Sequence, residues 1–408
     1  MLPPDYFTGK EDRMIELYQQ WEQFVMKDIA RRLLTAGQIT GTADRLIWKM
    51  QQAGLHREAI IKKLSSLTGM TTKELKKLLK DAALTSWQDE YDTWKTLDVE
   101  LSNPLENPRV IEVMDAEYQK SIGELNNLTR TTMDKSQQDL INLLDTAEMR
   151  VSGGTQSYNA AVCQVLDEYA GKGIKVIYPS GTELTLEAAV RLCVVTSMNQ
   201  TAAQITNQYI PETGTNYVLF TAHPGARVGK PGQPVYAGHD TWQGRVFSIR
   251  GSEPGYPNLL ESTGYDIDPV TGQGIVVDPL GAHGYNCQHS HRLWDKRLKN
   301  PWRDEEGNLI LGDGNTLTDR ENEERYKLQQ KQRSMERGIR KTKRQLVIKQ
   351  TEIDSIAETD VKAILQRDYD QMATKLIQQN KAYNEFCKVN DLQSDYVRNR
   401  VANFDKRK

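Results

Sequence analysis

Residues 145–160 read DTAEMRVSGGTQSYNA, and the character of the chain changes within this stretch. Up to Ser152 charged and apolar residues alternate in a helical pattern, whereas glycine and proline become frequent after Gly153 and Gly154. Glycine thins out again after Trp294, and no proline follows Thr318. These shifts predict a helical N-terminal arm over residues 1–151, a central α+β domain over 152–300 and a basic helical C-terminal arm over 301–408.

The N-terminal arm shows a strong helical periodicity. Apolar residues recur between Asp12 and Leu34 with a spacing close to 3.6, which predicts an amphipathic helix. We expect Gly54 and Gly69 to end the helices that follow, with a new helix starting near Thr71. The sequence therefore predicts a bundle of shorter helices over residues 42–53, 57–67, 71 onward, 86–101 and 109–150.

The central region mixes helical and strand-like patterns. Helices are predicted over residues 156–170 and 184–209, and short strands over 174–178, 217–221 and 245–249. These elements do not alternate regularly enough for a doubly wound parallel sheet or a barrel. The predicted fold class is therefore α+β, with long helical arms flanking a small mixed central domain.

Composition narrows the functional classes. The chain has 408 residues, 38% of them hydrophobic and 26% charged, which is too apolar for a disordered chain. A formal net charge of −2 predicts no global attraction to nucleic acid or to an anionic membrane. Four widely spaced cysteines, no CxxC pair and no long apolar run predict a soluble protein made in the cytoplasm, a reducing compartment, with no membrane partner.

Histidine is concentrated in the central region. Five of the six histidines fall between positions 223 and 291: His223, His239, His283, His289 and His291. Cys287 and His289 are close enough in sequence to share a zinc ion, and His223 with His239 or His283 would supply the remaining ligands. The spacing matches no standard zinc module. The alternative interpretation is that these side chains hydrogen-bond backbone carbonyls and hold loops in place.

An enzyme would use the same residues differently. His223 could act as a general base while Arg227 stabilises a phosphate or carboxylate. The sequence contains no nucleophile elbow, no HExxH and no P-loop, so we predict that the protein is not an enzyme. Trp242, which precedes a strand-like run, is interpreted as a core anchor.

Two basic stretches suggest contact with DNA. Residues 57–67 and 72–79 have the lengths of a helix-turn-helix, with lysines but no side chain suited to bidentate base contacts on the second helix. Residues 331–349 hold eight Lys and Arg against one acid. The predicted contacts are non-specific, to phosphates, and the alternative is a solvated helix face. The candidates are Arg337, Arg340, Lys341, Lys343 and Arg344.

Five short words occur in order through the central region. They are AAVR (188–191), TSMNQTAA (196–203), AHPGAR (222–227), WQGR (242–245) and HGYNCQH (283–289). In this combination they resemble the phage minor capsid proteins of the second type, which are akin to the Mu F-like and SPP1-like head morphogenesis proteins. The residues that carry the resemblance are Arg191, Asn199, His223, Arg227, Trp242, Gly244 and Asn286.

The resemblance implies a minor structural protein of a tailed-phage head. It implies a location in the virion, at the portal vertex or capsid interior, with assembly in the host cytoplasm. The implied partners are the portal protein, major capsid or scaffold proteins and packaged DNA, and the implied roles are head assembly and DNA packaging or ejection. Two departures weaken the transfer of ligand geometry to His239: Gln288 stands where arginine is frequent, and residues 228–238 form a longer link.

Overall fold

The structure is a computed structural model. It describes residues 1–3, 5–36, 42–152, 157–178, 180–310, 314–402 and 404, with only the backbone of residues 42–46. The predicted boundary at Ser152–Gly154 lies partly outside the described residues.

Long helices occupy the N-terminal and C-terminal parts of the sequence, and the short strands lie between them in the element order. The helices are α1 (Asp12–Ala36), α2 (Thr42–Lys95), α3 (Pro108–Ser152), α4 (Tyr158–Lys172), α5 (Leu186–Asn207), α6 (Ile210–Thr213), α7 (Leu259–Thr263), α8 (Asp319–Ser355) and α9 (Thr359–Val389). The strands are β1 (Lys175–Ile177), β2 (Glu183–Thr185), β3 (Tyr217–Phe220), β4 (Val246–Ser248), β5 (Tyr265–Ile267), β6 (Gly274–Val276), β7 (His291–Trp294), β8 (Leu309–Ile310) and β9 (Thr316–Leu317). The predicted α+β class with long helical arms is confirmed.

Helix α2 differs from the prediction, because it runs unbroken for 54 residues through Gly54 and Gly69. A glycine inside a helix costs only about 1 kcal/mol relative to alanine, which burial of a long apolar face outweighs. Buried residues follow one face across both glycines at intervals of seven or eight: Ala53, Ile60, Leu67 and Leu75. Residues 66–70 are helical, so the predicted helix-turn-helix is wrong.

The largest sheet has three antiparallel strands in the order β4-β3-β7. Val218 on the central strand lies opposite Phe247 on one side and Leu293 on the other, and all three side chains are buried. Phe220 lies opposite His291 in the same register. The sheet therefore carries one histidine of the predicted cluster directly into an apolar core.

The chain divides into two compact units, each built from separate segments. Unit 1 comprises residues 1–11, 73–124 and 192–330, and unit 2 comprises residues 12–72, 125–191 and 331–408. The division of the sequence into 1–151, 152–300 and 301–408 stays a prediction. Within the described parts of the chain, no helix is long and apolar enough to cross a membrane.

Candidate functional site

Unit 1 contains a buried network built around the predicted histidines. Strand β7 begins at His291, and the loop before it carries His283, Cys287 and His289. These four side chains and that of His239 are at most 2% exposed. Buried polar groups require hydrogen-bond partners, so the partners of each ring decide what this network does.

Asn199 of α5 organises the loop from a fully buried position. Its Nδ2 donates to the carbonyl oxygens of Cys287 at 2.9 Å and His289 at 3.0 Å. These two bonds orient the amide, so its Oδ1 accepts from Nδ1 of His283 at 3.0 Å. The neighbouring Gln200 donates to the carbonyl of His283 at 2.9 Å. One turn of helix therefore holds the backbone of the whole HGYNCQH segment.

The orientation of Asn199 also determines the protons further along. Because Nδ1 of His283 donates, its Nε2 accepts from Nδ1 of His291 at 2.8 Å, and Nε2 of a neutral His291 must then accept as well. Oδ1 of Asn207 lies 2.9 Å from Nε2 of His291, and Nδ2 of Asn207 donates to the hydroxyl of Tyr265 at 2.9 Å. The oxygen and nitrogen of a side-chain amide exchange places on a 180° rotation, and the orientation that satisfies two neutral rings turns Nδ2 of Asn207 toward His291 and its Oδ1 toward Tyr265.

Burial keeps these two rings neutral. Desolvation lowers the pKa of His283 to about 3 and that of His291 well below its usual value. Neither ring is therefore charged near neutral pH, which agrees with a chain of donors and acceptors that carries no extra proton.

His239, Cys287 and His289 form a second group. One potential ligand atom of each lies within 4.8 Å of the others. Sγ of Cys287 is 3.7 Å from Nδ1 of His289. Nε2 of His289 lies 3.2 Å from Oε1 of Gln243, and Nε2 of His239 lies 3.0 Å from the carbonyl of Leu280. The structure thus brings together three of the four predicted metal ligands.

The electrostatics of this second group disfavour nucleophilic catalysis. Burial raises the pKa of the Cys287 thiol to about 11, whereas a reactive cysteine has a lowered pKa and some exposure. Burial, assisted by the charge of Arg227, lowers the pKa of His239 to about 3, and burial lowers that of His289 well below its usual value. A protonated thiol beside neutral imidazoles does not resemble an activated thiolate–imidazolium pair.

His223 and Arg227 occupy the edge of this group. His223 is half-buried, and its ring stacks on that of His289 with centroids 4.4 Å apart. Burial lowers the pKa of His223, and its Nδ1 lies 3.3 Å from the carbonyl of Pro224. Its role as a metal ligand stays a prediction. Arg227 donates to the carbonyls of Leu280 and Tyr285, so it holds the loop that carries both residues.

The other motif residues have steric reasons for their identity. Trp242 is buried, donates to the carbonyl of Tyr236 at 2.9 Å and packs edge-on against Phe220. Gly244 has φ of +66°, and a Cβ there would lie 3.0 Å from Cβ of Trp302. The placement of Trp242 agrees with its interpretation as a core anchor.

The loop before β7 is itself held in an uncommon conformation. His283 and Asn286 both have φ of +56°, a left-handed region that most residues with a Cβ avoid. A Cβ at Gly284 would lie 2.2 Å from the carbonyl oxygen of Pro279. The hydrogen bonds of the His283 ring with Asn199 and His291 therefore stabilise a backbone conformation that most residues with a Cβ adopt only at a cost in free energy.

Two sets of predicted residues lie elsewhere. Arg191 belongs to unit 2, where it lies 3.6 Å from Glu187. Of the predicted DNA-contacting residues, Arg337 and Lys341 are exposed. Arg344 is buried and donates to the carbonyl of Ala170, Lys343 is buried near the ring of Phe404, and Arg340 is half-buried and pairs with Glu187 at 2.9 Å.

Sequence reasoning singled out Asn199 only for the family resemblance, and it missed Asn207 and Gln243, the other buried amides of the network. Asn199 and Asn207 are eight residues apart on α5, which places both on one helix face, and Gln243 stands inside the WQGR word. Polar residues on one face of an otherwise apolar helix were the available signal. They mark a face that meets buried polar partners.

Hydrogen-bonded loops, a buried thiol and neutral histidines are together features of a structural module. The family model for phage minor capsid protein 2 matches residues 2–388. The chain therefore belongs to this family, and it is a structural protein of the phage head and a component of the virion. Neither the curated proteins nor the solved structures contain a match to the chain.

Proposed function

We propose that this protein is built into the head in few copies at the portal vertex or procapsid interior, where it acts in head assembly and in DNA packaging or ejection. Its helical arms dock on the portal protein and on scaffold or major capsid subunits, and the histidine-rich module is a rigid body between docking surfaces. The observation that carries this proposal is membership of the minor capsid family over residues 2–388, combined with the closed module.

Exposed apolar side chains on α2 support docking by the arms. Ile47, Met50 and Ile61 are 58%, 71% and 45% exposed. Offsets of 3 and 14 residues place them on one face of a helix. Exposed apolar residues aligned along a helix are typical of a surface that a partner helix covers.

The experiment compares procapsids assembled with and without the portal protein. Quantitative mass spectrometry should find this chain only in portal-containing particles, and cross-links should join it to the portal. Met50→Asp with Ile61→Asp should reduce its incorporation at least tenfold, whereas Val235→Asp, a change at an exposed apolar residue of unit 1, should not. Equal incorporation into particles that lack the portal would mean that the arms dock on scaffold or capsid subunits instead. Absence from purified heads would overturn the proposal.

Contact with packaged DNA is a second candidate. Lys27, Arg31 and Lys63 line one surface concavity in unit 2 together with Gln20 and Phe24. Such a surface attracts phosphates without reading sequence. Fluorescence anisotropy on duplex DNA should show that the logarithm of the affinity falls linearly with the logarithm of the salt concentration. The double variant Arg31→Ala with Lys63→Ala should reduce the magnitude of that slope by about 0.9 for each phosphate that it no longer neutralises. An unchanged slope in the double variant would exclude this surface.

A further inference from the structure

We propose that His239, Cys287 and His289 form a zinc site inside unit 1, which ties the HGYNCQH loop to the segment around His239. The family match does not assign this site, and it rests on the placement of three side chains drawn from two distant stretches of the sequence.

The distances suit a zinc ion. Zinc binds sulfur at about 2.3 Å and imidazole nitrogen at about 2.0 Å, so tetrahedral geometry separates two such ligand atoms by about 3.6 Å. Sγ of Cys287 and Nδ1 of His289 are 3.7 Å apart. The third ligand atom, from His239, lies within 4.8 Å of both, so a small inward movement closes the triangle.

The outer nitrogens of both imidazoles are positioned as metal-bound histidines require. A metal-bound histidine usually donates its second ring N–H to a carbonyl or carboxylate, which orients the ring. Nε2 of His239 faces the carbonyl of Leu280, and Nε2 of His289 faces Oε1 of Gln243. Both contacts place the proton on Nε2, so the lone pair of each Nδ1 is left for a metal.

The ligand set favours zinc over harder cations. Two neutral imidazoles and a thiolate are ligands that zinc prefers, whereas magnesium and calcium prefer oxygen. Binding converts the Cys287 thiol to a thiolate and releases its proton to solvent. Three protein ligands leave the fourth position to a water molecule.

Such an ion would fasten parts of the module that are joined by a long loop. His239 precedes Cys287 by 48 positions, and the sequence between them contains β4, α7, β5 and β6. The loop before β7 is held in the left-handed region at His283 and Asn286. A metal ion bound at the end of this loop would stabilise its conformation in the folded protein but not in the unfolded chain. Removing the ion would therefore lower the thermal midpoint of unfolding.

The test measures metal content on full-length protein purified without an affinity tag and without added metal. Plasma mass spectrometry should find about one zinc ion per chain in the wild type. Cys287→Ser and His239→Asn should lose it. Cys163→Ser, which changes a buried cysteine of unit 2, is the matched control and should keep it.

A second measurement covers the case in which a ligand variant fails to fold. Wild-type protein exchanged with cobalt should show a sulfur-to-cobalt charge-transfer band and the visible bands of a tetrahedral site, and a chelator should abolish them and lower the thermal midpoint. Wild-type protein without zinc, which also shows no cobalt bands after incubation with excess metal, would overturn the proposal. The histidines would then serve as hydrogen-bonding groups only, and the proposed docking of the arms would be unaffected.

Discussion

Unit 1 contains a buried network of amides and neutral imidazoles, whereas unit 2 contains a buried lysine that pairs with two carboxyl groups. In unit 1 the network runs through Asn199, His283, His291 and Asn207. In unit 2 Lys349 is 1% exposed and lies 2.6 Å from Asp167 and 2.9 Å from Glu352. A neutral network depends on complete hydrogen bonding, and a charged one depends on pairing.

The comparison teaches how far residue type predicts placement. The neutral network overlaps the sequence words that carry the family resemblance at Asn199 and His283, because these side chains must meet specific partners. The charged network coincides with the basic stretch that suggests DNA contact. A run of Lys and Arg on a helix therefore indicates solvent or phosphate only on the faces that the rest of the fold leaves open.

Removing a charge from unit 2 should have the largest effect. Lys349→Met leaves the carboxyl groups of the half-buried Asp167 and the buried Glu352 without their cation, which should cost about 4 kcal/mol of unfolding free energy. Hydrogen exchange by mass spectrometry should place the loss in unit 2. Lys327→Ala breaks the exposed pair with Glu323 and should change little. Equal effects of the two changes would contradict the description of unit 2 as pair-dependent.

Removing the central amide of unit 1 comes next. Asn199→Ala removes the amide that donates to the carbonyls of Cys287 and His289 and leaves the Nδ1–H of His283 without its acceptor, which should cost about 3 kcal/mol. Urea unfolding with hydrogen exchange should show the loss around residues 283–291. Asn127→Ala, at an exposed site on α3, is the control. A loss of unfolding free energy smaller than that of the Asn127→Ala control would mean that water replaces the hydrogen bonds of the Asn199 amide.

The pH dependence of the two units should have opposite signs. The folded-state pKa values of His239, His283, His289 and His291 are lowered, so the unfolded chain takes up more protons as pH falls below about 6.5 and unit 1 loses stability. Burial raises the pKa of Glu90 in unit 1 to about 7, which opposes this trend. The net loss in unit 1 between pH 7 and pH 6 should be about 2 kcal/mol.

In unit 2 burial raises the pKa of Glu352 to about 8, so this group stabilises the unit as pH falls from 8. Hydrogen exchange at pH 8 and pH 6, corrected for intrinsic rates, should show unit 1 less protected and unit 2 more protected at the lower pH. The same trend in both units would contradict the contrast between neutral and charged interiors.

The smallest effect separates backbone conformation from packing in unit 1. Gly244 and Gly251 have φ of +66° and +74°, so alanine is strained at both. A Cβ at Gly244 would lie 3.0 Å from Trp302, whereas a Cβ at Gly251 would meet nothing within 4 Å. Thermal unfolding should show Gly244→Ala costing about 1 kcal/mol more than Gly251→Ala. Equal costs would mean that the motif glycine is needed only for its φ.

Periodicity predicted most of the helices but not where α2 continues. The helix predicted from Asp12 is found as α1, and that predicted over residues 109–150 as α3. The strands predicted at residues 174–178, 217–221 and 245–249 correspond to β1, β3 and β4. Gly54 and Gly69 misled the prediction, because local propensity does not include the burial of the opposite face of the helix. Other short strands, such as β7, were not predicted, because their few residues showed no alternating pattern that stood out from the surrounding loops.

The sequence indicated which side chains come together but not how they are hydrogen-bonded. The concentration of histidine drew attention to His239, Cys287 and His289, whereas the division of the histidines into two groups depends on Asn199 and Gln243. Hydrogen bonds between residues 84 and 46 positions apart leave no local signal in a single sequence. Only the tertiary fold sets those pairings.

The alternation of segments between the units has a consequence for synthesis on the ribosome. Unit 1 is complete once residue 330 has emerged, whereas unit 2 needs residues 331–408. A hydrogen bond from Gln19 to the carbonyl of Arg400 joins positions 381 residues apart. Contacts of such high sequence separation form late because loop closure must precede them. We therefore expect helix α1 to reach its full set of contacts in unit 2 only after residue 400 has emerged from the ribosome.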